Sequence, residues 1–84
     1  MGWIKDAKAE ALAKEARKAI EDGRRVHVVR INVGMTQQQL SGSLAGFAEQ
    51  IEAVEDAGWV MHDMSFGNDK QGKPEGYFLF RLPR

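Results

Sequence analysis

The run Gly67-Asn68-Asp69-Lys70-Gln71-Gly72-Lys73-Pro74 lies one residue away from a phosphate-binding P-loop. That motif needs Ser or Thr after the lysine to hold magnesium, and a helix behind it to aim amides at phosphate. Here Pro74 takes the hydroxyl position and a strand-forming run follows. The segment therefore predicts a polar hairpin loop, kept soluble by Asp69, Lys70 and Lys73. His27, His62 and Asp63 are the set with divalent-metal chemistry. A metal centre wants three or four convergent ligands. His62 and Asp63 are neighbours on a strand and so point to opposite faces, which leaves only one of them to join His27. Asp63 is the best candidate for acid–base work, yet such work requires a raised-pKa carboxylate or a positioned histidine. A solvent-facing strand residue is the simpler reading of it. Ser41, Ser43 and Ser65 lack the strand–turn–helix glycine context of a nucleophile elbow. The sequence assigns no catalytic residue, no metal and no cofactor, and the expectation is a protein without enzymatic activity.

Two segments suit binding. Gly42-Ser43-Leu44-Ala45-Gly46 opens a helix, and free amides at a helix start attract anions. Gly42, Ser43 and Gly46 are thus candidate anion-binding residues, with ordinary helix capping as the plainer alternative. The stretch from Arg17-Lys18 to Arg24-Arg25-Val26-His27 is basic enough to touch phosphates. It has no interleaved aromatics for base stacking. The 84-residue chain carries 12 Lys/Arg against 12 Asp/Glu, a balance that speaks against a dedicated nucleic-acid binder. The charge is unevenly spread: residues 1–30 hold eight basic and five acidic side chains, residues 31–84 four and seven. Such a split can orient a chain against a copy of itself or another partner.

The elements that must position these residues follow from periodicity. Trp3 to Asp22 is rich in Ala, Lys and Glu, all strong helix formers, and Gly23 ends the run. Its stripe of Ala9, Leu12, Ala13, Ala16, Ala19 and Ile20 is narrow and mostly methyl-sized. Arg25 to Val33 reads as a strand, with Val26 and Val28 on one face and Val29, Ile31 and Val33 on the other. A polar connector leads to a second helix ending at Ala57, capped by Ser41 or Ser43. Its apolar stripe is Leu44, Phe47, Ala48, Ile51 and Val54, with Glu49, Gln50, Glu52, Glu55 and Asp56 opposite. Gly58 suits a left-handed helix end, and Trp59 can fold back on Val54. Val60 to Phe66 reads as a strand with Val60, His62, Met64 and Phe66 on one side. Gly67 to Gly76 reads as a ten-residue loop, and Tyr77 to Leu82 as the last strand.

The expected fold is α+β in the order α-β-α-β-β. A hairpin makes the last two strands antiparallel, and the last strand, apolar on both faces, belongs in the centre. The sheet order is then 1-3-2, antiparallel throughout, with the second helix on one face. The other face is left for the Ala-rich N-terminal helix or for a second copy of the chain. Residues 1–22 are read as a docking helix outside the minimal fold, and residues 23–84 as a small α+β domain that survives its deletion. The chain starts at Met1, has no cysteine, and has no long apolar run. These features predict no signal peptide, no membrane span and a cytoplasmic location.

Met1-Gly2-Trp3 before an Ala-rich helix, the Glu21-Asp22-Gly23-Arg24 turn, the Ile51-Glu52-Ala53-Val54-Glu55 helix closing with Gly58-Trp59, and the strand Gly76-Tyr77-Phe78-Leu79-Phe80-Arg81 together resemble a group of short uncharacterised proteins from actinobacteria and their phages. More loosely they are similar to small bacterial domains of unknown function built as strand, helix, Gly-Trp and hairpin. The resemblance implies a bacterial or phage origin and supports the fold. It brings no activity, cofactor or catalytic residue.

The leading functional expectation is a protein-interaction domain that self-associates as a homodimer or higher oligomer. Its candidate contact residues are Trp3, Ile4, Leu12, Ala16 and Ile20 on the first helix, and Tyr77 and Leu79 on the last strand. The alternatives are a small-molecule or anion binder at Gly42–Gly46, and a nucleic-acid contact through the basic N-terminal helix.

Overall fold

The computed structural model describes residues 3–32, 42 and 46–83, with side chains from residue 7 onward. It has the expected α+β order: α1 (Trp3–Glu21), β1 (Val26–Asn32), α2 (Phe47–Asp56), β2 (Val60–Asn68) and β3 (Pro74–Arg81). The three strands form one antiparallel sheet in the order β1-β3-β2. Both helices lie on the same face. Ala16 and Ala19 of α1 share a single core with Phe47 and Val54 of α2, Trp59, and Val29, Ile31, Phe78 and Phe80 of the sheet.

Each helix stops where a glycine takes a left-handed conformation. At α1, Gly23 has φ 82°, its N–H donates to Ile20 O at 3.0 Å, and Arg24 N–H donates to Ala19 O at 3.0 Å. This pair of bonds satisfies carbonyls that the helix end would otherwise orphan. At α2, Gly58 has φ 118° and its N–H reaches Glu55 O at 2.9 Å. A side chain at Gly58 would also press on Ile20 Cδ1, 3.3 Å from the Cβ position, so α1 lies directly beneath this corner.

The start of α2 departs from expectation. Its N-cap is Gly46 (φ 91°), not a serine, and the helix begins at Phe47. Glu49 completes the cap from inside, its Oε1 accepting the Gly46 N–H at 3.0 Å. Gln50 is buried and Ala48 exposed, the reverse of the predicted stripe. The amide of Gln50 folds back so that Nε2 donates to Gly46 O at 3.0 Å, which satisfies a polar group inside the core. Ser41, Ser43, Leu44 and Val33 fall outside the described residues.

The hairpin is longer than its composition suggested. Asn68 pairs with Pro74, Gly67 with Glu75 and Phe66 with Gly76, so the loop is only residues 69–73. Proline is tolerated as the first residue of a strand. Gly76 has a steric reason: a Cβ there would lie 2.7 Å from Phe78 Cε1 and 2.9 Å from Phe66 Cε1. The two rings close over the bare backbone edge-to-face, with centroids 5.6 Å apart.

A bulge between Met61 and Asp63 leaves His62 without a partner in β3. It also shifts the alternation of β2. Met61, Met64 and Phe66 stand opposite Phe80, Phe78 and Gly76 on the helix side, whereas Val60 and Asp63 stand opposite Arg81 and Leu79 on the other face. The expected grouping of Val60 and His62 with Met64 and Phe66 fails for this reason: one inserted residue reverses the face of everything before it.

Trp59 ties the layers together. It is 1% exposed, its indole N–H donates to Ala16 O at 2.9 Å, and its ring stacks on His27 with centroids 5.3 Å apart. Ala16 is fully buried. The small methyl that made the α1 stripe look weak allows the indole to reach the helix backbone. We expect Trp59→Phe to cost about 1–3 kcal/mol through the lost hydrogen bond and ring volume, and Trp59→Ala about 3–5 kcal/mol, both read from urea unfolding. Deletion of residues 1–22 removes the acceptor for Trp59 and the cover over it. We expect the remainder to lose its cooperative thermal transition in circular dichroism, the opposite of what the size of the alanine stripe suggests.

Candidate functional site

The loop that resembles a P-loop is organised around its own carboxylate. Asp69 Oδ1 accepts the N–H groups of Gln71 at 2.8 Å and Lys73 at 2.9 Å, and Oδ2 accepts Asn32 Nδ2 at 2.8 Å. The Asn32 bond first, and then the Lys73 amide, hold the Asp69 pKa below its ordinary value. Amides that a phosphate would need are already engaged, and β3 follows where a P-loop requires a helix. A similar arrangement holds at the start of α2. Gly46 is buried and its amide faces the Glu49 carboxylate. Gly42 is exposed, and Ser43 lies outside the described residues.

The histidines and Asp63 are not brought together. His27 sits on the helix side of β1 against Trp59, and β3 separates it from β2. His62 is the exposed bulge residue. Asp63 is on the opposite face, its Oδ1 accepting the Met64 N–H at 2.8 Å. Among the described residues, no group of three His, Cys, Asp or Glu side chains could hold a metal. His27 is nonetheless unusual. Its Nε2 is buried and makes no hydrogen bond among the described residues. Burial is the main cause of a lowered pKa; nearby Glu15 opposes the shift and Arg24 adds to it.

The candidate contact residues divide between two surroundings. Ala16 is inside the core, and Leu12 and Ile20 pack partly against it. The side chains of Trp3 and Ile4 are outside the described set. Tyr77 and Leu79 lie on the sheet face that neither helix covers. There Tyr77 is 45% exposed and Leu79 half-buried. The register fills in that face in rows across β1, β3 and β2: Val26–Arg81–Val60, Val28–Leu79–Asp63, Arg30–Tyr77–Ser65 and Asn32–Glu75–Gly67. Val28 is 63% exposed and Val60 50%. A shallow depression of about 160 Å³ runs between Val28, Asp63, Ser65, Tyr77 and Leu79.

Charge frames the apolar centre. Glu75 is almost fully buried beneath its neighbours: Tyr77 Oη donates to its Oε1 at 2.9 Å, and Arg30 Nε lies 3.4 Å from its Oε2. The bond to Glu75 is the first cause of a raised Tyr77 pKa. Val28 and Val60 were not singled out as contacts from sequence. For Val28 the signal was present, since its face was already opposite to Val29 and Ile31. For Val60 it was hidden by the bulge.

The chain matches no family model, no curated protein and no solved structure. Among the described residues, no helix is long and apolar enough to cross a membrane.

The His27 environment gives a pH dependence. Its folded-state pKa is below the ordinary 6.5, so on acidification the unfolded chain takes up the proton first. The stabilisation from neutral His27 is fully present above pH 6.5 and is lost as pH falls from there through the lowered folded-state value. Thermal melts from about pH 7.5 to about pH 5.5 should therefore show a falling Tm. A His27→Phe variant should show a shallower fall across that range.

Proposed function

We propose that the chain is a non-enzymatic self-association domain whose contact surface is the helix-free sheet face. One observation carries the reading: Val28, Tyr77 and Val60 remain 63%, 45% and 50% exposed on one continuous sheet face. Antiparallel sheets with one wet face normally alternate apolar-in and polar-out. Here the outward set includes three valines, a leucine and a tyrosine along with its charges. Covering such a patch is favourable by roughly 25 cal/mol per Å² of apolar surface removed from water.

The anion-binding alternative at Gly42–Gly46 gains no support, because Glu49 places a negative charge at the helix start. The basic-helix contact to nucleic acid likewise gains none from the charge balance or the placement of aromatics.

The reading is tested at an exposed position. Val28→Lys should leave the thermal midpoint nearly unchanged, within about 0.5 kcal/mol in stability, as for most surface substitutions. It should shift the light-scattering mass at high concentration from above one chain to that of the 9.4 kDa monomer. A wild-type chain that stays at the monomer mass at every concentration would remove the reading.

A further inference from the structure

We infer that the partner on this face is a second copy of the chain, stacked sheet-on-sheet with β3 antiparallel to β3 about a twofold axis perpendicular to the strands. The inference rests on the self-association reading and adds its geometry. It comes from the order of residues along the open side of β3: Glu75, Tyr77, Leu79, Arg81. That row is acidic at one end, basic at the other and apolar between.

Rotation about an axis perpendicular to the strands lays each strand on its own copy with the order reversed. Leu79 then covers Tyr77 of the second copy, and Arg81 covers Glu75. In β1, Val28 covers the aliphatic stem of Arg30. Each contact occurs twice, as a twofold interface requires. The other twofold stack, about an axis along the strands, keeps the order unreversed. It would place Arg81 on Arg81 and Glu75 on Glu75, juxtapositions of like charge that specific interfaces avoid. Glu75 is only 7% exposed, and its carboxylate, with about four lone-pair sites of which Arg30 and Tyr77 use two, meets the incoming guanidinium through that small opening. Aligned sheets cross at about 30°, so the registry is closest at the middle of β3, where Leu79 meets Tyr77, and the charges at its ends reach each other through the long Arg81 side chain.

The size of the face sets the strength. Strands of seven to nine residues, three abreast, give a plan roughly 25 Å by 14 Å, or about 350 Å². A standard stable interface covers about 800 Å² per partner. The dimer is accordingly a weak one, with a dissociation constant in roughly the micromolar range or above.

Sedimentation equilibrium of the full chain across micromolar to millimolar concentration tests this. Arg81→Glu should weaken the dimer about tenfold or more. Mixing Arg81→Glu with Glu75→Lys should restore association as a heterodimer, since each charge again meets its opposite. Circular dichroism checks that both variants fold. Should Glu75→Lys fail to fold, cysteine placement in this cysteine-free chain gives an independent reading. A bismaleimide reaching about 10 Å, the spacing of stacked sheets, should join Leu79→Cys to Tyr77→Cys chains faster than it joins either variant to itself. A wild-type dimer insensitive to Arg81→Glu, or faster Leu79-to-Leu79 linkage, would overturn the stack while leaving self-association intact. A wild-type monomer throughout would overturn both.

Discussion

One hydrogen bond between a side chain and a helix backbone fixes how both helices and the sheet meet. Trp59 follows directly on the glycine that ends α2, and its indole N–H is held by the carbonyl of Ala16 in α1. A buried indole needs a partner for its N–H, and the geometry here supplies it from the opposite helix rather than from solvent. The same ring covers His27 on β1. Three elements distant in sequence are thereby fixed relative to each other by a single residue. Alanine at position 16 is part of the arrangement, since a larger side chain there would hold the helix away from the ring. A small core gains specificity from such a contact that area alone would not provide.

Much of the architecture was legible in the sequence. The element order, the central place of the last strand and the Gly58-Trp59 corner all followed from periodicity and turn chemistry. What was missed shares a cause: local polarity does not report where a polar group finds its partner. Gln50 was assigned outside because it is polar, yet its amide is satisfied by Gly46 O and it is buried. Gly67 to Gly76 was assigned to a loop because it is rich in turn formers, yet Gly76 belongs to the central strand, where two phenylalanine rings occupy the space of its absent side chain. The placement of α1 was the other gap. An alanine stripe looks too poor to bury, and its value lies in close approach, which hydrophobicity scales do not measure. Of the candidate contact surface, Tyr77 and Leu79 are legible in the sequence. The valines around them required the register.

Two carboxylates explain why motifs that look like anion sites are quiet. Asp69 gathers the loop amides, and Glu49 accepts the amide of Gly46, the N-cap of α2. In each case the backbone presents donors in the way a phosphate cradle does, and the chain supplies its own anion. An acidic side chain a few residues from a glycine-rich turn is thus a warning in itself. Motif spacing describes what the backbone can offer, and the neighbouring side chains decide whether the offer is open. The charged groups on the sheet face behave differently, because they frame an apolar centre instead of filling a backbone nest.

The bulge in β2 reconciles two sets of apolar residues with opposite parity. Trp59 and Met61 are odd-numbered, Met64 and Phe66 even-numbered, and all four belong to the helix side. No regular strand can present both sets inward. The unpaired His62 is therefore a spacer that shifts the alternation by one residue, whatever its chemistry. The consequence concerns the gain and loss of residues. A regular strand of the present length would turn half of itself inside out, with Asp63 and Ser65 facing the core if Trp59 kept its place, whereas loss of one residue at the bulge would restore a single alternation with all four apolar residues inward. Within the hairpin, length and regularity are therefore coupled by counting, independently of which residues are counted: between Trp59 and Phe66 an even number of intervening residues goes with a bulge and an odd number with an unbroken strand.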